Sequence, residues 1–451
     1  MKKITESNWF SINRQLTFYS IPILLGMMCE LFYTLADTFF ISIIDKTDTA
    51  IISGVGLIFP IIFLLTSVDQ GIGSGISTIV AISVGEKNNR QIRKTADTGF
   101  NLSLYLGGIV LLFFFFFVNI ILDGISGSGV SQRAKDIGAE YLIYVLPGFL
   151  FMFLVQARFS VLQGLGKTKF IGIGMVISSL INVALDPVMI FTFNLGVKGA
   201  SIATVISQLI LFIIVSIVYR KNGFKDFKLS HLIKFDNHLL KRIIRIGIPS
   251  SLSFIILSAS FMVYNFFIGN ISESALNAYT LVQRFEGILV TPALAFAIGL
   301  SIMTGQNFGA KQYKKVNDIF INGTLFITII TVVICGIYML FAKSIFVNMT
   351  GNPEVLSLIL NQVYYVTIPA SIGFSIAFCS SASLQAIEKP ISSFILNGLR
   401  TLFLGVPFIL MLQSVLPISI MNIWGGITLA SVVASLMGFI WFKKIIGRIS
   451  R

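Results

Sequence analysis

Asn182-Val-Ala-Leu-Asp186-Pro187 lies inside an apolar segment running from Thr168 to Phe193. A segment that long and that apolar predicts a membrane-spanning helix. Asn182 and Asp186 are four residues apart and share one helical face. An ionised aspartate at that depth costs several kcal/mol unless it faces a polar cavity or binds a cation. Pro187 has no N–H to give to the carbonyl of Val183, so a backbone oxygen is freed beside the carboxylate. Such a set of oxygen ligands suits a proton or a hard cation such as sodium. The competing reading is a structural kink with a hydrogen-bonded aspartate. Intramembrane carboxylates are functional by default, which favours the cation.

The rest of the chain agrees with a membrane address. It is 55% hydrophobic and 12% charged, with a mean hydropathy of +0.89, far from soluble composition. Twelve apolar stretches can be marked, at 16–44, 51–84, 96–122, 137–157, 168–193, 195–219, 243–270, 275–307, 317–347, 354–386, 391–413 and 417–442. No cleavable signal is expected, since the first twenty residues include Glu6 and the first apolar run contains Glu30 and Asp37. The net charge of +14 does not imply nucleic acid, because of where it sits. With the N-terminus inside, basic residues gather at the inner segments around Arg14, Lys87 to Lys94, Lys167, Arg220 to Arg245, Lys311 to Lys315, Lys389 and Lys443 to Arg451. The outer segments hold Lys46, Arg133, Lys135, Lys198 and Lys343, about one-fifth as many. This bias predicts a multi-pass protein of the cytoplasmic membrane with both termini cytoplasmic, its basic face on the anionic inner leaflet. Cys29, Cys335 and Cys379 are odd in number and lie in apolar spans, so no disulfide framework is expected. His231 and His238 fall in the polar inner loop, and no HExxH or CxxC offers a metal site.

The two halves of the chain repeat each other in parallel. Ile21-Pro22 matches Ile248-Pro249, and Asp37-Thr-Phe-Phe-Ile41 matches Tyr264-Asn-Phe-Phe-Ile268. Gly75-Ile-Ser matches Gly299-Leu-Ser, and Gly85-Glu-Lys87 matches Gly309-Ala-Lys311. Leu146-Pro147 pairs with Ile368-Pro369, Leu162-Gln163 with Leu384-Gln385, and Pro187 with Pro407. The order and near-constant spacing predict two six-span lobes with the same orientation, related by an axis along the membrane normal. The expected division is 1–235, a first lobe with an inner linker, and 236–451, a second lobe.

The halves differ where chemistry would sit. Asp37 corresponds to Tyr264 and Asp186 to Val406, so the first lobe alone carries these acids. Asp37, Asp186 and Thr204 all fall roughly 10–12 Å below the outer boundary at the helical rise. Glu30, seven residues before Asp37, lies on the same face and deeper. That placement predicts a role facing a cavity.

Twelve spans in two parallel lobes, the Asn182 to Pro187 motif, Leu195-Gly-Val-Lys-Gly-Ala-Ser-Ile-Ala-Thr204 and Gly305-Gln306-Asn307-Phe-Gly309-Ala310 together resemble the multidrug and toxic compound extrusion (MATE) family across essentially the whole chain. The resemblance implies an all-α, V-shaped membrane protein with a central cleft. It implies an antiporter that expels organic, often cationic, compounds by alternating access, driven by protons or sodium. Members' first-lobe cation site falls on Asp37, Asn182, Asp186 and Thr204, which would also be the sodium ligands. Glu30 and Arg284 are assigned to the substrate cavity. The expected partners are small organic cations and the bilayer, with the chain acting as a monomer, without nucleic acid and without a cofactor beyond the coupling ion. Some members carry acids in spans seven and ten; here span seven has none, and Glu388 stands only at the inner end of span ten.

Other readings fare worse. Gly164-Leu-Gly166-Lys167-Thr168 ends like a phosphate loop, but Val161 stands where the motif needs glycine and no strand precedes it. An intramembrane hydrolase would need a histidine within a span, so the protein is not expected to be an enzyme. A flippase or exporter of a lipid-linked or anionic metabolite is the main rival, with Arg158, Arg284 and Arg400 as the intramembrane cations it could use. Arg158, near an inner span end, is expected to snorkel; for Arg284 and Arg400 inter-helix pairing competes with substrate contact. Asp69, in span two, is open to either reading. Gly71, Gly73 and Gly75 are expected to permit close helix approach, and the run Phe113 to Phe117 to face lipid.

Overall fold

The computed structural model describes residues 9–45, 48–126, 130–224, 236–350, 352–415 and 419–450. Lys46, His231 and the middle of the basic linker, 225–235, lie outside these. The described chain is helical throughout its ordered elements, with twelve helices long and apolar enough to cross a membrane. They are α1 (Trp9–Ser42), α2 (Ala50–Gly85), α3 (Asn89–Ile125), α4 (Gln132–Gly164), α5 (Thr168–Thr192) and α6 (Val197–Lys221). The second half supplies α7 (Asn237–Gly269), α8 (Glu273–Gly309), α9 (Tyr313–Val347), α10 (Pro353–Ala386), α11 (Pro390–Val415) and α12 (Ile420–Ile449). A helix satisfies its own backbone polar groups, which is the condition for crossing hydrocarbon.

Starts are marked by side-chain caps. Asn88 Oδ1 accepts from the Gln91 amide at 3.0 Å, Ser131 Oγ from Ala134 at 3.2 Å and Ser272 Oγ from Ala275 at 3.1 Å. Each satisfies an otherwise orphaned N–H and is worth about 1 kcal/mol. Phe113, Phe115, Phe116 and Phe117 are exposed while Phe114 is buried, so most of that run faces outward, as expected for lipid contact.

Two compact units are formed. The first contains residues Leu25–Val80 and Asn88–Ser251; the second contains Met1–Leu24, Ala81–Lys87 and Leu252–Arg451. Three helices are therefore shared: α1 and α7 each change unit two residues after a proline, Pro22 and Pro249, and α2 changes after Val80. Within the second unit, Ile12, Leu16 and Tyr19 of α1 pack with Phe296 and Leu300 of α8. Within the first, α7 meets the glycines of α2. A Cβ on Gly71 would lie 2.6 Å from the Gly247 carbonyl oxygen, and one on Gly75 would lie 2.7 Å from that of Ile243. Gly73 faces Gln156 of α4 instead. Lipid supplies no hydrophobic drive between helices, so close approach over small residues gives the dispersion contact that holds them.

Glycines also bring the site helices of the first unit together. A Cβ on Gly26 of α1 would stand 3.3 Å from Gly172 Cα of α5, and one on Gly199 of α6 would stand 2.7 Å from the Met189 carbonyl. Ser201 of α6 donates to the Tyr141 carbonyl of α4 at 3.1 Å. These contacts fix α1, α4, α5 and α6 around one interior.

Candidate functional site

Inside the first unit, α5 presents Asn182 and Asp186 on one face, and both are buried at 2% and 0% exposure. The α-helix ends at Pro187, and the next five residues, Val188–Thr192, wind as a π-helical turn. The wider turn is closed by the Phe193 amide donating to the Val188 carbonyl at 3.0 Å. Such turns recur at functional sites because they redirect side chains and loosen the hydrogen-bond ladder. Proline at the junction explains the change of winding, since it removes one donor from the ladder.

Asn182 reaches α6 directly. Its Nδ2 donates to Thr204 Oγ1 at 3.4 Å, and Thr204 Oγ1 donates in turn to the Ala200 carbonyl at 3.1 Å. Asn182 Oδ1, both carboxylate oxygens of Asp186 and Asp37 Oδ1 are buried without a hydrogen-bond partner among the described residues. Buried polar atoms are normally satisfied, and four acceptor oxygens without a donor are an arrangement able to accept a proton or a cation. Asp37 on α1 stands within electrostatic reach of Asp186. Tyr33 is within reach of Glu30, Asp37 and Asp186, and Tyr141 within reach of both aspartates. Tyr33 and Tyr141 were not picked out by sequence reasoning. Tyr33 follows Glu30 by three residues and precedes Asp37 by four, a same-face spacing that would have flagged it.

Two carboxylates, an amide and a hydroxyl on α1, α5 and α6 carry the oxygen chemistry that hard cations accept. No group of three or more His, Cys, Asp or Glu side chains that could hold a metal ion occurs among the described residues. Glu30 is exposed, seven residues along α1 from Asp37. Arg284, on α8, belongs to the second unit and is exposed.

One expectation about another charged residue is corrected. Arg158 does not snorkel: it is 5% exposed. Its guanidinium lies over Phe212 at 4.5 Å, Phe100 at 5.0 Å and Tyr219 at 5.5 Å and donates to Ser216 Oγ. Three ring faces and one hydroxyl offset the loss of water around the cation. The second half also carries an acid within a span that sequence reasoning did not single out, Glu286 of α8. A single charge in the apolar stretch 275–307 was the available signal. Asp69 is 4% exposed with Oδ1 unpartnered.

Comparison with known proteins places this architecture. The MatE family model matches residues 22–188 and again 249–411, so one model recognises both halves, as the internal repeat requires. The chain is 27% identical to the probable multidrug resistance protein YoeA of Bacillus subtilis, over 99% of this chain and 97% of that protein. It is 24% identical to an FAD transporter of Shewanella oneidensis, over 88% and 87%. It is also 24% identical to the multidrug export protein MepA of Staphylococcus haemolyticus, over 88% and 81%. Among solved structures, a MOP superfamily transporter from Pyrococcus furiosus superposes with a TM-score of 0.89 at 23% identity, covering 98% of this chain and 97% of that one. A MATE transporter in its straight conformation gives 0.90 at 23% identity, covering 97% of each. The fold is thus the one these transporters share, and with the family model matching both halves, the chain belongs to the MatE family of multidrug and toxic compound extrusion transporters.

Proposed function

We propose that this transporter is an antiporter that exports organic, often cationic, compounds across the cytoplasmic membrane in exchange for protons or sodium, with both termini inside. Four buried, donorless oxygens on Asp37, Asn182 and Asp186 carry the reading, because acceptors without donors in a membrane interior call for a cation. Asp37, Asn182, Asp186 and Thr204 bind the coupling ion, and Glu30 lies on the path toward it. Multidrug relatives that cover nearly the whole chain support the substrate class.

The coupling cycle follows from competition. A proton or sodium ion entering from outside neutralises the aspartates and favours a state with weak drug binding; drug binding from inside favours the cation-free state. Two ligands that bias one conformational equilibrium in opposite directions produce exchange. The test is efflux of a fluorescent organic cation from proteoliposomes with sodium and proton gradients imposed separately. Efflux that responds to neither gradient would sink the coupling assignment.

A second reading has its own support. One relative is an FAD transporter, and FAD is an anion, so export of an anionic metabolite uses the same coupling site with a different cargo.

A further inference from the structure

The second unit holds a polar cluster that the coupling site does not use. It is built on α7, α8, α9 and α11. Tyr264 of α7 packs in one apolar cluster with Tyr279 of α8, and Tyr338 of α9 packs in another with Val282 and Leu289 of α8. Tyr264 Oη donates to the Thr401 carbonyl of α11 at 2.5 Å. Thr401 sits in a π-helical turn, Leu399–Phe403, and so does Arg400. The half-buried Arg400 guanidinium lies 4.5 Å from the ring centroid of Phe374 on α10. Glu286 and Tyr264 are within its electrostatic reach. Neither Arg400 nor Glu286 forms a hydrogen bond or a salt bridge with a described residue.

This cluster is rich in donors. Besides the five N–H groups of Arg400, Gln283 Nε2 and Tyr338 Oη are buried without a hydrogen-bond partner among the described residues. Tyr338 is only 6% exposed. The first-unit site is the reverse case, with spare acceptors and no spare donors. The internal repeat shows that folding does not demand these charges. On the register of Gly75 with Gly299, Glu286 corresponds to Ile62, and on that of Pro187 with Pro407, Arg400 corresponds to Leu180. An arginine left with unused donors inside a membrane span needs an oxyanion to complete it, and its planar fork fits a carboxylate or phosphate with two parallel bonds.

We propose that Arg400, with Gln283 and Tyr338, binds an acidic group, carboxylate or phosphate, carried by the transported molecule, in competition with Glu286, the internal anion within electrostatic reach of the guanidinium. The inference rests on the transport reading above and narrows its substrate class to compounds with an oxyanion. Arg400 then acts on cargo selection and the first-unit aspartates act on coupling, which separates two tasks that a single acidic cavity would have to combine.

Two matched pairs of fluorescent probes test it with purified full-length protein. Rhodamine B carries a carboxylate that its ethyl ester lacks, and flavin mononucleotide carries a phosphate that riboflavin lacks. Fluorescence anisotropy should show the acidic member of at least one pair binding about tenfold more tightly, the size expected for a charge-assisted hydrogen bond. The pair that discriminates identifies carboxylate or phosphate as the recognised group. Arg400→Gln should abolish the preference while leaving affinity for the ester or riboflavin within about twofold. Glu286→Gln, which removes the competing internal anion, should raise the preference further, giving a change in the opposite direction that loss of folding cannot mimic. Equal affinity within both pairs, or no binding of any probe, overturns the inference, as does a preference that survives Arg400→Gln. Efflux of either member of a pair from proteoliposomes separates the two claims. Efflux without acid preference refutes only this inference, and acid preference without efflux refutes only the transport reading.

Discussion

Asp186 has no exposed surface and no partner for either carboxylate oxygen among the described residues, and under the proposed exchange it is the group that a guest ion or proton neutralises. An amide in its place keeps the shape and removes the charge. Asp186→Asn and Asp37→Asn are each expected to cut gradient-driven efflux at least tenfold while leaving membrane insertion and detergent stability near wild type. Normal efflux by both purified variants would remove the site from these residues. The positions of Asn182 and Asp186 could be read from sequence because four-residue spacing is fixed by helix geometry. What could not be read is the Asn182 to Thr204 hydrogen bond, which depends on how α5 and α6 pack. The cage around Arg158 was hidden for the same reason, since Phe100, Phe212 and Tyr219 come from α3 and α6. Glu286 was legible as the one acid in the apolar run 275–307, but its neighbours, which come from α9 and α11, were not.

At the scale of elements, contact rather than hydropathy decides which helices pair. Hydrophobic length identified twelve spans, but it carries no information about neighbours. Glycines carry some of it, and only the structure says which ones matter. A Cβ on Gly75 would press on the Ile243 backbone oxygen at 2.7 Å, whereas one on Gly108 of α3 would meet nothing within 4 Å. Backbone cannot rotate away as a flexible side chain can. Gly75→Ala should therefore destabilise the protein by about 1–3 kcal/mol, and Gly108→Ala should be neutral or slightly stabilising. Thermal unfolding in detergent distinguishes them, and equal midpoints would show that the α2–α7 approach is not tight. The start of α7 gives a second case. Asp236 accepts from Lys94 Nζ of α3 at 2.9 Å and from the Leu239 amide at 3.3 Å. Lys94 first, and the backbone donors with it, hold the Asp236 carboxyl below the usual aspartate range. A depressed folded-state pKa means the contribution is present above the ordinary aspartate value near ~4 and is lost as pH falls through the folded value. Asp236→Asn should lower stability slightly at neutral pH, as exposed pairs contribute little, with no difference from wild type in strong acid. A loss of equal size at both ends of the pH range would point to packing instead.

For the whole molecule, drug and coupling ion must oppose each other if they share one equilibrium. Linkage makes the effect reciprocal: the factor by which the ion lowers drug affinity is the factor by which drug lowers ion affinity. Drug binding in detergent, titrated against sodium and against pH, should weaken about five- to hundredfold with one of these ions, and Asp186→Asn should bind drug with no dependence on that ion. Unchanged drug affinity under both titrations would rule out competition. The parallel repeat was visible in the sequence as an ordered series of paired motifs, and the family model matches each half independently. The exchange of helix halves was not, because Pro22 and Pro249 announce a bend without saying what lies on either side of it.

That exchange has a consequence for how the protein is made. Residues before Leu25 belong to the unit completed by Leu252–Arg451, and the first unit needs α7 as far as Ser251. The ribosome therefore delivers the start of α1 long before α8 exists to receive it. A nascent chain stalled after six spans still lacks the strip of α7 that covers Gly71 and Gly75. The native contacts of the first unit can therefore close only once the seventh helix has been made, and those of residues 9–24 with α8 only after the eighth.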